Sequence, residues 1–150
     1  MLTDETITLR DTEFKELTLI AEMEQGEALS YVVPYSLLRH QEDFEKSTIV
    51  YKSICRDDKL IGFIILALDQ DGLSVELRRI VISVPGHGYG KRAVEMAREL
   101  SRTEFGRQRV WLDVFETNKR ARYVYEQCDF QLFGKSQHEE RTLLLYETTA

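Results

Sequence analysis

Residues 77–91 read LRRIVISVPGHGYGK, and this stretch restricts what the 150-residue chain can fold into more tightly than any other. An apolar run rich in Ile and Val ends at Pro85, turns through Gly86, Gly88 and Gly90, and opens into a segment of helical period. The pattern predicts a buried strand, a glycine-rich turn and a helix N-terminus in immediate succession. The first N–H groups of such a helix have no intrahelical partner, and the helix dipole adds partial positive charge there. Alternating glycines let the backbone approach a ligand closely and take positive φ where needed. Two readings stand at this point. The turn is a site for a phosphate-bearing ligand, pyrophosphate being the best fit, or it is a tight connection that binds nothing.

The loop is not a Walker A loop, because Gly90-Lys91 is followed by Arg92 and not by Ser or Thr. It is not a dinucleotide fingerprint either, since the third glycine comes one residue too early.

The rest of the chain reads as alternating elements. Ile7 to Arg10 is a short strand. Glu13 to Gln25 is a helix ended by Gly26, and Pro34 to Phe44 a second helix with proline in its first turn. Thr48–Cys55, Lys59–Leu68 and Leu73–Ile82 are strands, the last two joined by a turn at Asp69–Gly72. Gly90 to Phe105 is a helix with Val94, Ala97 and Leu100 inward. Arg109–Val114 is a strand lying parallel to the one ending at Ile82, and Thr117–Cys128 a helix. Phe130–Phe133 and Arg141–Glu147 close the chain as a hairpin. The fold class is α/β, with an antiparallel meander followed by β-α-β in one mixed sheet flanked by helices.

Thirty residues after the glycine loop, a second segment narrows the function. Asn118, Ala121, Tyr125 and Phe130 follow the strand RVWLDV at fixed spacing. Together with Gly88 and Gly90 they resemble the GNAT superfamily of acetyl-CoA-dependent N-acyltransferases. Its members carry an Arg or Gln, then glycine and glycine or alanine, in the first loop, and an Asn, Ala, Tyr, Gly-Phe series in the second. The order of elements extends the resemblance over nearly the whole chain. This sequence departs from the pattern at Pro85, where the family has Arg or Gln, and at Asp129, where it has glycine. Asp tolerates a left-handed backbone at a helix end better than most residues. The loop before Gly86 is also about two residues short of the common family length.

The resemblance implies a GNAT-like sheet whose central parallel strands splay apart to admit the coenzyme. It implies transfer of an acetyl group from acetyl-CoA to a primary amine, by direct attack in a ternary complex. The acceptor is a small molecule, a protein N-terminus or a lysine. The backbone of Ile80, Val81 and Ile82 would hold the pantetheine arm. The loop of His87, Gly88, Tyr89, Gly90 and Lys91 would hold the pyrophosphate, and Asn118 would contact the arm. Tyr125 would protonate the leaving thiolate, and Glu76 would take the proton of the attacking ammonium. Each assignment has a plainer alternative: a core tyrosine at 125, an ion pair of Glu76 with Arg78 or Arg79, a helix cap at Asn118, and a solvated helix face at Lys91 and Arg92. For the whole chain the alternative is a non-catalytic acyl-CoA-binding module.

Composition bounds the rest. A length of 150 residues, 43% hydrophobic and 31% charged, suits a single domain over 1–150. A net charge of −6 argues against nucleic acid as partner and suits a cationic amine. No apolar run approaches the roughly 20 residues that span a membrane. The N-terminus MLTDETITLR lacks an apolar signal segment, so a cytoplasmic monomer or homodimer is expected. Cys55 and Cys128 are expected as free thiols, and His40, His87 and His138 are too scattered to predict a metal site.

Overall fold

The computed structural model describes residues 2–3, 7–25 and 33–150, the first two by backbone alone. Gly26, expected to end the first helix, lies outside the described residues. Strand β1 (Leu2–Thr3) pairs antiparallel with β2 (Thr8–Asp11). A 3-10 turn (Phe14–Glu16) then leads into helix α1 (Leu17–Met23), where one continuous helix was expected. The cause is Glu16. Its carboxylate accepts from the Glu13 N–H at 2.9 Å and from both terminal nitrogens of Arg10, which tightens the first turn. Helix α2 (Leu37–Phe44) begins three residues after Pro34, because Ser36 caps it by accepting from the Arg39 N–H at 3.1 Å.

Strands β3 (Ile49–Arg56), β4 (Lys59–Leu68) and β5 (Ser74–Ile82) form the antiparallel meander. Helix α3 (Tyr89–Thr103) crosses over to β6 (Arg109–Phe115), and α4 (Lys119–Gln127) leads to the hairpin of β7 (Gln131–His138) and β8 (Arg141–Thr149). Asp129 ends α4 with φ 67°, the left-handed conformation expected at that position. Among the described residues, eight strands make one mixed sheet in the order β1-β2-β3-β4-β5-β6-β8-β7. Each layer of helices covers one face. Phe63 and Ile65 of β4 pack with Leu17, Ile20 and Tyr51 beneath α1 and α2, while Ile64 and Leu66 pack with Ala93, Val94 and Ala97 of α3. Both cysteines are buried and free. Among the described residues no helix is long and apolar enough to cross a membrane.

Two irregularities shape the centre of the sheet. Opposite Ile65 and Leu66, strand β5 presents Arg79 and Leu77, so Arg78 is an extra residue in a β-bulge. The bulge resets the side-chain alternation. Val75 and Leu77 precede it, Ile80 and Ile82 follow it, and all four pack on the α3 side, while Val81 turns to the α1 side. The second irregularity is that β5 and β6 pair in parallel only from Ser74–Arg109 to Glu76–Trp111. Beyond Glu76 they part, β5 staying with β4 and β6 with β8.

Gly62 lets β4 come close to the parted half of β5. A Cβ there would collide with the Val81 carbonyl oxygen and lie 3.1 Å from Ile82 Cα. Gly62→Ala is expected to lower stability by about 1–3 kcal/mol, the range for overpacked cores, read from the urea midpoint. An unchanged midpoint would show that β4 and β5 separate there at no cost.

Candidate active site

The parting of β5 and β6 opens a cleft of about 980 Å³. One wall is the edge of β5 from Leu77 to Ile82, which has no strand partner on that side among the described residues. At roughly 3.3 Å per residue this edge offers about 20 Å of backbone N–H and C=O groups. The opposite wall comes from Val114 and Phe115 of β6 and from Ala121, Val124 and Tyr125 of α4. The glycine loop and the N-terminus of α3 close one end.

The glycine loop leaves its backbone open to the cleft. Gly86 and Gly88 take φ of 82° and 72°, and a Cβ at either would meet nothing within 4 Å, so the backbone faces open space. Gly88 is the N-cap of α3 and has no side chain to occupy the first N–H groups. Gly90 is helical, as expected. It lies in the first helical turn without a positive φ, because the helix starts at Tyr89. The Tyr89 side chain turns into the core, where its hydroxyl accepts from Arg56 at 2.9 Å, so only its backbone serves the loop. His87 is exposed and stacks on the Tyr89 ring at 5.1 Å. Lys91 is exposed on the cleft side of the helix, and Arg120, at the start of α4, adds a second cation to the lining.

Asn118 is the cap of α4: its Oδ1 accepts from the Ala121 N–H at 3.2 Å. It also lines the cleft. Tyr125 is a core tyrosine that also reaches the cleft. It is 8% exposed, packs against Phe130, belongs to the main core, and still lines the cleft. Burial, with the field of Asp113 added, pushes its hydroxyl well above the ordinary tyrosine range, so it holds its proton. Burial lifts the Cys128 thiol to about 11, which works against forming the thiolate that a nucleophile needs.

Glu76 faces the cleft at the point where the strands part. The ion-pair reading is realised: Oε1 accepts from Arg78 Nε at 3.1 Å and Nη2 at 2.9 Å. Burial nevertheless raises its carboxyl above the usual range, with the Arg78 charge opposing the shift. Across the gap stands Asp113 of β6, whose carboxylate has no hydrogen-bonded partner among the described residues. Although it reaches the open cleft, the surrounding protein raises its carboxyl too, opposed by Arg79, Arg78 and His138. Sequence reasoning passed over Asp113. Its signal was the alternation in RVWLDV, which sends Val110, Leu112 and Val114 into the core on the α3 side and leaves Asp113 on the opposite face of the sheet.

With this geometry in view, comparison with known proteins is specific. The family model described as acetyltransferase (GNAT) family matches residues 13–130. The chain belongs to the GNAT acetyltransferase family. The fold is also that of a spermidine N-acetyltransferase from Vibrio cholerae. A mutant of that enzyme aligns at TM-score 0.82 with 22% identity, over 97% of this chain and 95% of that one. The same enzyme in complex with CoA and spermine aligns at TM-score 0.82 with 20% identity, over 97% and 96%. A chimera of it reaches TM-score 0.85 at 21% identity, over 97% and 96%.

This GNAT chain also carries a buried polar cluster that the sequence did not disclose. Glu24, fully buried, accepts from Arg79 Nη1 at 2.5 Å and from His40 Nε2. His40 Nδ1 meets the Tyr51 hydroxyl at 2.6 Å. The Arg79 guanidinium lies 3.6 Å over the Tyr35 ring, and the Arg39 guanidinium 4.1 Å over the same ring. Arg79 Nε is buried and has no hydrogen-bond partner among the described residues. A buried donor left unmade costs roughly 1–3 kcal/mol.

The glycine loop makes a testable claim about Gly88. Gly88→Val places a β-branched side chain at positive φ and fills the space that the backbone now faces. Acetyl-CoA binding, measured by titration calorimetry, is expected to weaken tenfold or more, about 1.4 kcal/mol. A folded variant with unchanged affinity would make the loop a mere connection.

Proposed function

We propose that the cleft binds acetyl-CoA and transfers its acetyl group directly to a primary amine. The observation that carries this reading is the open edge of β5 running from Glu76, with Asp113 of β6 across the gap, to the glycine loop. An extended pantetheine arm suits such an edge as an added strand would, through alternating backbone groups of Ile80, Val81 and Ile82. The pyrophosphate suits the N–H groups of residues 87–91, with Lys91 and Arg120 as counter-charges. The neighbour that binds CoA and spermine supports both a CoA ligand and an amine acceptor.

Acetyl-CoA supplies an activated carbonyl and a thiolate leaving group. The chain's own residues handle the protons. An ammonium must lose a proton before its nitrogen attacks, and a carboxylate within reach of the cleft is the base. Two stand there. Glu76 has one oxygen committed to Arg78, and Asp113 has neither committed. As the C–N bond forms and the C–S bond breaks, the departing sulfur takes up negative charge. Tyr125 then holds the proton that neutralises it, and the field of its buried site keeps that proton on at neutral pH. Asn118 fixes the start of α4 and so the position of Tyr125 two turns further on.

The test is CoA release from acetyl-CoA over a panel of amines, with three variants. Tyr125→Phe is expected to preserve CoA affinity and lower kcat by about 10²–10⁴-fold. A base works only when deprotonated, so a raised carboxyl pKa places the acidic limb of kcat/KM above the usual carboxylate range. Glu76→Gln or Asp113→Asn is expected to flatten that limb, whichever is the base, while Tyr125→Phe leaves it in place. A fully active Phe variant would make Tyr125 a core residue only. A protein that binds acetyl-CoA but turns over no amine would be the non-catalytic module.

A further inference from the structure

The gap between β5 and β6 opens on both faces of the sheet. On one face stand the glycine loop, α3 and α4, with Ala121, Val124 and Tyr125 in the lining. Side-chain alternation sets the other face. Arg79 of β5 lies opposite Ile65 of β4 and turns with it and with Val81 to the α1 side, away from Ile80 and Ile82. Asp113 and Phe115 of β6 turn away from Leu112 and Val114 to that same side. Tyr35 stands over Arg79 there. This mouth of the cleft therefore has an aromatic ring on each side of the gap, Tyr35 by β5 and Phe115 on β6, and both line the cleft.

Both rings are pinned. Arg79 Cζ lies 3.6 Å from the centroid of the Tyr35 ring, and Arg39 Cζ lies 4.1 Å from the same centroid. Two planar guanidinium groups that close to one centroid would overlap on a single face, so they hold the ring from opposite faces. Each is itself anchored, Arg79 by Glu24 and Arg39 by Asp43. Phe115 has Arg141 Cζ 3.6 Å from its centroid and the His138 ring tilted against it at 6.1 Å. It is buried although it belongs to neither apolar core, because the β7–β8 hairpin supplies its cover.

A cation on each face leaves Tyr35 no face with which to attract an ammonium. What the ring offers an incoming molecule is bulk in a fixed place. We propose that Tyr35 and Phe115 frame the acceptor mouth and set, by their bulk, how much an acceptor can carry beside its amino group. This assignment rests on the acetyl-transfer reading above. Arg79 lies on the open edge between Glu76 and Ile80, so the clamped ring stands beside the stretch where amine and acetyl group meet in that reading. Arg39 and Arg79 are positioning residues for the ring, their own charges matched by Asp43 and Glu24. The acceptor class that follows is a primary amine with little bulk on the adjoining carbon, and branched or aromatic neighbours are turned away.

The experiment measures CoA release from acetyl-CoA with glycinamide, alaninamide, valinamide and phenylalaninamide, which differ in bulk beside one amino group. In the wild type kcat/KM is expected to fall along that series. Tyr35→Ala is expected to raise the phenylalaninamide-to-glycinamide ratio of kcat/KM roughly tenfold or more, while KM for acetyl-CoA moves less than about twofold. Tyr35→Phe keeps a ring in the clamp and is expected to restore the wild-type ratio. Arg39→Gln, at an exposed side chain, frees one face of the ring. It is expected to move the ratio in the same direction by a smaller factor, and it serves if Tyr35→Ala does not fold. A ratio unchanged in Tyr35→Ala, or changed equally by Tyr35→Phe, would overturn the framing role and leave acetyl transfer standing. A wild type that ignores bulk would do the same. Binding of acetyl-CoA with no release by any amine would overturn the acetyl-transfer reading itself.

Discussion

Strands β5 and β6 share three residues of parallel pairing and then separate, and the site follows from that separation. A backbone N–H or C=O left unmade and dry costs about 1–3 kcal/mol, so an edge of six residues cannot be sealed into a core. It must face water or a ligand, which is why the parting becomes a cleft and not a buried seam. The bulge at Arg78 bends β5 at this point and keeps its apolar side chains on the α3 core while the strand changes partners. Strand β8 meanwhile pairs with β6 over seven residues, from Arg109–Thr149 to Phe115–Leu143, so the parted half of β6 stays in the sheet.

The second constraint is the buried cluster of Glu24, His40, Tyr51 and Arg79. Its members come from the end of α1, from α2, β3 and β5, so it ties both helices to the bent strand. Taking a carboxylate out of water costs several kcal/mol, and removing one partner of such a pair typically costs about 3–5 kcal/mol. The cluster therefore fixes the α2 side of the cleft more tightly than apolar contact would. It sets the places of Tyr35, Arg39 and Arg79 relative to Glu76.

What was legible in the sequence was local in the chain. The turn of Gly86 and Gly88 and the series Asn118, Ala121, Tyr125 and Phe130 each lie within one strand–turn–helix unit, so the turn showed in its spacing and the series in its resemblance to the GNAT family. The meander, the parallel crossover and the final hairpin followed from alternation and turn residues. The rest depends on pairing between distant segments. Arg79 and Glu24 are 55 residues apart, and His40 and Glu24 are 16 apart on different helices. The extra residue at Arg78 shows only when β5 is set against β4. The break before α1 came from a side-chain cap at Glu16 that overrode helical periodicity. That Arg39, Arg78 and Arg79 are each set beside a carboxylate at the cleft could not be read from an acidic total, because summed charge carries no information on position.

The central claim is that the open edge of β5 and the glycine loop together receive the coenzyme. Hydrogen exchange with and without saturating acetyl-CoA tests this at the residues concerned, independently of any acceptor. A ligand bound along that edge should slow exchange in two places, across Leu77–Ile82 and across residues 87–92, while β2 and β7 stay unchanged. Protection confined to the loop, or found away from the parted strands, would contradict the account.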